Sequence, residues 1–261
     1  MNPYMKSLEL LAGRFRSAEA KVVKAYFAKP REDKEHVRWL KAQAYKEYSA
    51  IKPLLQTLAK TYPHLDKGMD RHQYEEWGEK LAEEMKHAGL IMDLLEELTG
   101  TRITPKDLLW LSEDKRLAKV RGRYSKTYAG LLHGSQNIKV REIKRKDEDL
   151  ERAAITLTEG GGGALYEVCS RLTAGRFERK MAAVFKEIYL DEVNHKNAGA
   201  RDLARLVTTR RDYERATRIV QQISGQRLRM RNEQFGFPLS ARNIRNLELR
   251  CRKPVGPLAS R

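Results

Sequence analysis

Glu83-Glu84-Met85-Lys86-His87 and Asp191-Glu192-Val193-Asn194-His195 are the two stretches on which the reading of this chain turns. In each, a glutamate and a histidine stand three residues apart, one turn of helix, so both side chains leave the same face and can close on one metal ion. Two such turns would hold two ions. Of the six histidines, only His87 and His195 have Glu three positions before them, and in both places a second acid, Glu83 or Asp191, precedes that glutamate. The competing reading is ordinary: ion pairs on a surface, or core polar residues with local partners.

The flanking periodicity favours the metal. Around the first turn, a helix expected over residues 70–98 carries Tyr74, Trp77, Leu81, Ala88, Ile91, Leu95 and Leu98 in 3-4 alternation, which places Glu84 on the apolar stripe with His87 beside it. Around the second, a helix expected over 177–207 carries Met181, Val184, Ile188, Gly199 and Leu203, with Glu192 and His195 in the same seam. A helix expected over 33–62 has its seam at Val37, Leu40, Ala44, Ile51, Leu54 and Leu58, and Glu47 fills the place between Ala44 and Ile51. A carboxylate on a core face needs a partner, because burying it bare is costly. Pro53, inside this helix, is expected to kink or loosen it.

Antiparallel helices joined by a short turn bring together residues equidistant from that turn, so Glu47 should face Glu84 across the breaker stretch after Tyr62. A helix expected over 147–172 pairs in the same way with 177–207 about a turn near Ala174. Reflecting Glu192 across that turn points to Glu159, with Glu167 as runner-up. Gly160 to Gly163 follow Glu159 directly. Four helical glycines cost about 1 kcal/mol each, so the run marks either close packing or space for a ligand beside the backbone.

The rest of the chain frames these pairs. A first amphipathic helix over 3–28 is expected on the outside of the bundle. Residues 99–146 form a long basic crossover with a short helix from Pro105 to Trp110, as two helix pairs require. A last helix over 211–230 closes one domain, 1–232, and a basic C-terminal tail occupies 233–261.

The chain has 261 residues, enough for one sizeable core. Its net charge of +17 is concentrated in two places. Eleven Lys/Arg face one acid (Glu142) between Lys115 and Lys146, and fifteen face five acids from Arg201 onward, leaving a slightly acidic body. No apolar run approaches the 18 or so residues of a membrane span, and the N-terminus lacks a secretory apolar region, so cytoplasm is the expected compartment. Cys169 and Cys251 are too few for a disulfide framework or a thiolate metal site. Any metal must be held by Glu, Asp and His, which suit iron or manganese.

Taken together, Glu47, Glu84, His87, Glu159, Glu192 and His195 resemble the ferritin-like di-iron carboxylate superfamily, in which two helices each give a Glu and two each give Glu-x-x-His. Val184-Phe185-Lys186-Glu187-Ile188, ahead of Asp191-Glu192 and His195, is similar to the corresponding helix of rubrerythrins. The resemblance covers residues 33–98 and 147–207. It implies an all-α fold, a ferritin-like four-helix bundle with a long crossover plus extra N- and C-terminal helices. It also implies that Asp191 bonds His87 and that Glu83 bonds His195, fixing the imidazole tautomers. The chain lacks the rubrerythrins' four-cysteine module.

The function this implies is an O2-activating non-haem di-iron oxidase or oxygenase. Its cofactors would be two Fe ions, with Mn or a mixed Fe/Mn pair using the same ligands. O2 is the co-substrate and an external electron donor the partner. The basic segments suggest an anionic substrate, small or carrier-linked, drawn in by steering. Tyr124 and Tyr128 among Arg121, Arg123 and Lys126, and Phe235 and Phe237 after Arg227, Arg229 and Arg231, interleave cations and aromatics as a surface for unpaired bases would. Hence the alternatives: a di-iron tRNA hydroxylase, a nucleic-acid-binding protein with a structural metal site, or a rubrerythrin-like peroxidase. Oligomerisation is left open.

Overall fold

The computed structural model describes residues 3–67, 71–124, 138–159 and 162–253, the side chains of 66–67, 73, 138–145 and 194–199 excepted. Among these residues every regular element is helical, in keeping with the all-α expectation. The elements are α1 (Pro3–Phe27), α2 (Asp33–Thr61), α3 (Arg71–Thr99), α4 (Ser112–Gly122), α5 (Ile138–Glu159), α6 (Gly162–Cys169), α7 (Arg176–Leu206), α8 (Arg210–Gln234) and α9 (Ala241–Arg252). Both expected helix pairs are present, α2 with α3 and α5 with α7. No helix among the described residues is long and apolar enough to cross a membrane.

The chain forms two compact units, one of Arg31–Trp110 and one of Met1–Pro30 with Leu111–Arg261. This division differs from the single domain expected over 1–232, because the chain leaves the second unit after α1 and returns to it at α4.

The smaller unit is a helical hairpin. At the start of α2, Glu35 reaches back to accept from Glu32 N at 2.8 Å, satisfying one of the free N–H groups of a helix start. Trp39, Leu40 and Ala44 are buried on α2, and Ala88, Ile91, Leu94 and Leu95 on α3, at the spacings of the two seams. Pro53 does not break α2, which continues to Thr61. Thr57 Oγ1 donates to Pro53 O at 2.9 Å and Thr61 Oγ1 to Thr57 O at 2.7 Å, so side-chain hydroxyls serve backbone carbonyls past the proline. Gly100, at φ 67°, ends α3 in the left-handed conformation that suits glycine. The chain then runs back along the hairpin: Ile103 N donates to Glu96 of α3 at 2.8 Å, Leu109 N donates to Lys41 O of α2 at 3.3 Å, and Trp110 stacks on Tyr45 of α2 at 5.5 Å. The short helix expected from Pro105 is one 3-10 turn, Pro105–Asp107.

In the larger unit α1 is central rather than peripheral. Leu8, Phe15 and Val22, seven residues apart, are fully buried and join Leu150, Ala154 and Leu157 of α5 and Ile219, Val220 and Ile223 of α8 in one core. The outside position expected of α1 is therefore corrected: its seven-residue stripe enters the core, and even one of its charges, Glu19, is buried there against Arg231. Of the helix expected over 147–172, α5 covers the part up to Glu159 and α6 the part from Gly162 to Cys169, and Gly160 and Gly161 between them lie outside the described residues. Gly163 is buried, and a Cβ there would meet the Tyr189 ring at 3.9 Å, so at this glycine the space is filled by α7. Residues expected as a basic tail contain α9, which packs on α1 and α8.

Candidate metal centre

On α2, Glu47 follows Gln43 by one turn, and both lie on the buried face. Gln43 Nε2 donates to Glu47 Oε1, which orients the carboxylate and turns Oε2 toward α3. There His87, fully buried, presents Nδ1 at 3.7 Å from Glu47 Oε2. Glu84, one turn before His87, completes a group in which one donor atom of each residue lies within 4.8 Å of the others. Glu84 taken as a whole residue is half-buried, whereas the three-residue group is enclosed.

The donor set fits a hard divalent cation. Two ligands held about 2.1 Å from one ion stand roughly 3 Å apart at right angles and at most about 4.2 Å apart. The 3.7 Å separation falls inside that range, and the widest separation closes with a side-chain movement of about half an ångström or a little more. Two carboxylates and an imidazole would neutralise the ion and leave coordination positions for water or substrate. Among the described residues this is the group of His, Cys, Asp and Glu that could hold an ion.

The sequence pattern placed Glu47, Glu84 and His87 together, and the structure does the same. Gln43 was missed, although a glutamine one turn from a buried glutamate on the same stripe is its natural bonding partner. His36, a histidine without ligand spacing, is buried and accepts from Trp39 Nε1 through Nδ1 at 3.1 Å.

The second set of expected ligands belongs to the larger unit. Glu159 is the last residue of α5, half-buried, and accepts from Arg121 Nη2 at 3.0 Å. Its runner-up, Glu167 on α6, accepts from Arg16 at 2.6 Å and Arg171 at 2.8 Å. Burial opposes the charge on Arg16, but the bonds to Tyr189 and Glu167 outweigh it and hold the guanidinium above its usual range. Asp191 and Glu192 are half-buried on α7. His195 lies on α7 one turn after Glu192, and its side chain is outside the described residues. Glu83 is half-buried on α3.

The expected base-binding residues need correction. Arg227 and Arg231 are not on a surface: they are 4% and 0% exposed. Arg231 Nε lies 3.5 Å from Glu19 Oε2, and Arg227 Nη2 donates to Thr158 Oγ1 at 3.3 Å. Burial pushes the Arg227 guanidinium below its usual range, with Glu19 acting against that. Arg229 is bound to Glu248 at 2.5 Å. Phe235, also expected in that surface, is buried against Tyr26. Of the other group, Arg121 pairs with Glu159, Arg123 is exposed, Tyr124 donates to Gln222 at 2.6 Å, and Lys126 and Tyr128 fall outside the described residues.

Comparison with known proteins finds no match. No family model matches the chain, and no match is found among curated proteins or solved structures.

Proposed function

We propose that this chain is a non-haem di-iron oxidoreductase, an O2-activating oxidase or oxygenase, in which Glu47, Glu84 and His87 hold one ion. The observation that carries the proposal is the buried convergence of two carboxylates and one imidazole from two helices of a hairpin. Such a group would be mutually repulsive without a cation among it. The second ion rests on the sequence: Glu192 and His195 repeat the Glu84–His87 spacing on α7, with Glu159, or Glu167, as the added carboxylate.

When bound, iron in such a set supplies one-electron chemistry and a seat for O2. The chain's own contribution is geometric and electrostatic. Gln43 fixes one oxygen of Glu47, so the other is held toward His87. Full burial of His87 keeps bulk water from its ring. Electrons must come from an external donor, since two buried cysteines cannot hold a cluster. The charge of +17 suits an anionic substrate.

The test is anaerobic loading of the purified protein with Fe(II), followed by metal analysis and O2 uptake in the presence of a reductant. Two ions per chain are expected, falling to one in His87→Ala and to one in Glu192→Ala. A single ion lost only in His87→Ala would remove the di-iron reading and leave a mononuclear site. No retained metal would end both. Oxidation by hydrogen peroxide faster than by O2, with no organic substrate needed, would favour a peroxidase instead.

A further inference from the structure

Helix α9 is clamped into the larger unit from several sides. Ser240 caps it, accepting from Asn243 N at 3.2 Å. The turn that delivers it is held by Asn232, whose side chain donates to Leu239 O at 2.9 Å and accepts from Leu239 N at 3.1 Å. The one acid of α9, Glu248, is buried against Gly225 of α8, where a Cβ would come within 2.8 Å of its Oε1. Arg229 and Arg252 bond it at 2.5 Å each. That carboxylate is spent inside the unit and leaves the outer face of α9 uncompensated.

On that face stand Arg242, Arg245 and Arg250, exposed, and among the described residues none has a carboxylate partner. From α1, Lys21 adds a fourth cation in the same condition. Between the two helices runs a groove of about 260 Å³, lined by Lys21 and Arg250, by the amides of Asn243 and Asn246, and by Leu239 and Leu247. Two residues before Leu239, Phe237 is 61% exposed while its backbone sits at φ 61°. A bulky residue seldom adopts that left-handed conformation. It is held there by its own N–H, which donates to Asn232 O at 2.7 Å, so a clamped turn fixes the ring outward.

We propose that the α1–α9 face binds single-stranded nucleic acid, with backbone phosphates on Lys21, Arg245 and Arg250 and a base stacked on Phe237. Lys21 and Arg250 line the groove and Arg242 and Arg245 add charge on the same exposed helix, a grouping of cations that suits a polyanion, and the groove amides can donate to and accept from base edges. A fixed, exposed ring is the platform that unpaired bases use. An anionic lipid surface fits less well, because the outer face of α9 has Leu249 as its exposed large apolar residue and lacks the stripe that enters a membrane. This inference stands apart from the metal centre: it uses none of its residues and survives its loss.

The experiment is fluorescence anisotropy of the full chain with labelled single-stranded RNA and DNA of the same base sequence, over a salt series. Binding should weaken with salt in a log-log line. Arg245→Glu/Arg250→Glu should weaken it at least tenfold at about 0.1 M salt and shallow the slope by about 1.4, two single-strand phosphate contacts. Phe237→Ala should weaken it about fivefold or more with the slope unchanged. Lys52→Glu/Arg71→Glu, a reversal of equal charge on exposed residues of the smaller unit, should cost less than threefold. RNA bound more tightly than DNA would add contact with the 2′-hydroxyl, and equal binding would assign the site to the phosphodiester chain alone. The proposal is overturned if the control reversal costs as much as the α9 reversal. It is also overturned if polyglutamate or phosphatidylserine vesicles bind while neither oligonucleotide does, or if nothing binds.

Discussion

Glu84→Gln should make the metal-free protein more stable and the metal-treated protein less responsive, a pair of opposite signs that few other roles for Glu84 would produce. Without a cation, ionised carboxylates of Glu47 and Glu84 within 4.8 Å repel by about 3.5 kcal/mol at an effective dielectric of about 20. Glu84 is half-buried, and solvent screening reduces this to about 1–2 kcal/mol. For a chain of this size each kcal/mol moves the melting midpoint by about 2–4 °C, so the variant should melt a few degrees above the parent when both are metal-free. Wild-type protein at a metal concentration about 100-fold over Kd gains about 2.7 kcal/mol, a rise of about 5–11 °C. The variant should lose most of that rise. The assay is thermal unfolding by circular dichroism, in chelator and then with Mn(II), Co(II) or anaerobic Fe(II). A metal-free Glu84→Gln that melts below wild type, or a wild type that no divalent ion shifts, would refute the reasoning.

Three further outcomes follow from groups elsewhere in the fold. Glu19 and Arg231 are both fully buried, with Arg227 beside them, so Glu19→Gln should leave two enclosed guanidiniums without their carboxylate. Chemical denaturation should show a loss of about 3–5 kcal/mol, and a loss below about 1 kcal/mol would mean the cluster is solvated. Cys169 and Cys251 are buried, and burial pushes both thiols up; a thiolate reagent at pH 8 should label neither until denaturant is added, and fast native labelling would contradict their enclosure. Burial raises the Asp212 carboxyl, but the bonds from Lys146, from Thr209 and from the backbone of Thr208 and Thr209 outweigh it and hold the group below its usual range. Its contribution is therefore whole above the ordinary carboxylate value near pH 4 and fades as pH falls through the lower folded value. Asp212→Asn should flatten that part of the acid-unfolding curve, and an unchanged acid limb would remove Asp212 from it.

The local facts were legible because a helix repeats every turn. The seams of α2 and α3 put Glu47, Glu84 and His87 on facing stripes, and short-turn pairing sufficed to bring them together. The same logic placed Glu159 on α5 but could not foresee Arg121 bonding it, since that partner lies outside the helix pair. The glycine run offered packing or open space; the Tyr189 ring decides for packing at Gly163.

Periodicity tells which residues share a face, and so it determined the helices, their pairing and the convergence of Glu47, Glu84 and His87. It does not tell what a face will meet. Arg231 and Arg245 look alike in the chain, both arginines in helices of a basic segment; one is buried against Glu19 from the opposite end of the sequence, the other faces solvent. Only the tertiary fold decided that, because the desolvation that charge resists is offset only by a partner close enough in space, and closeness between distant stretches is not written in either one.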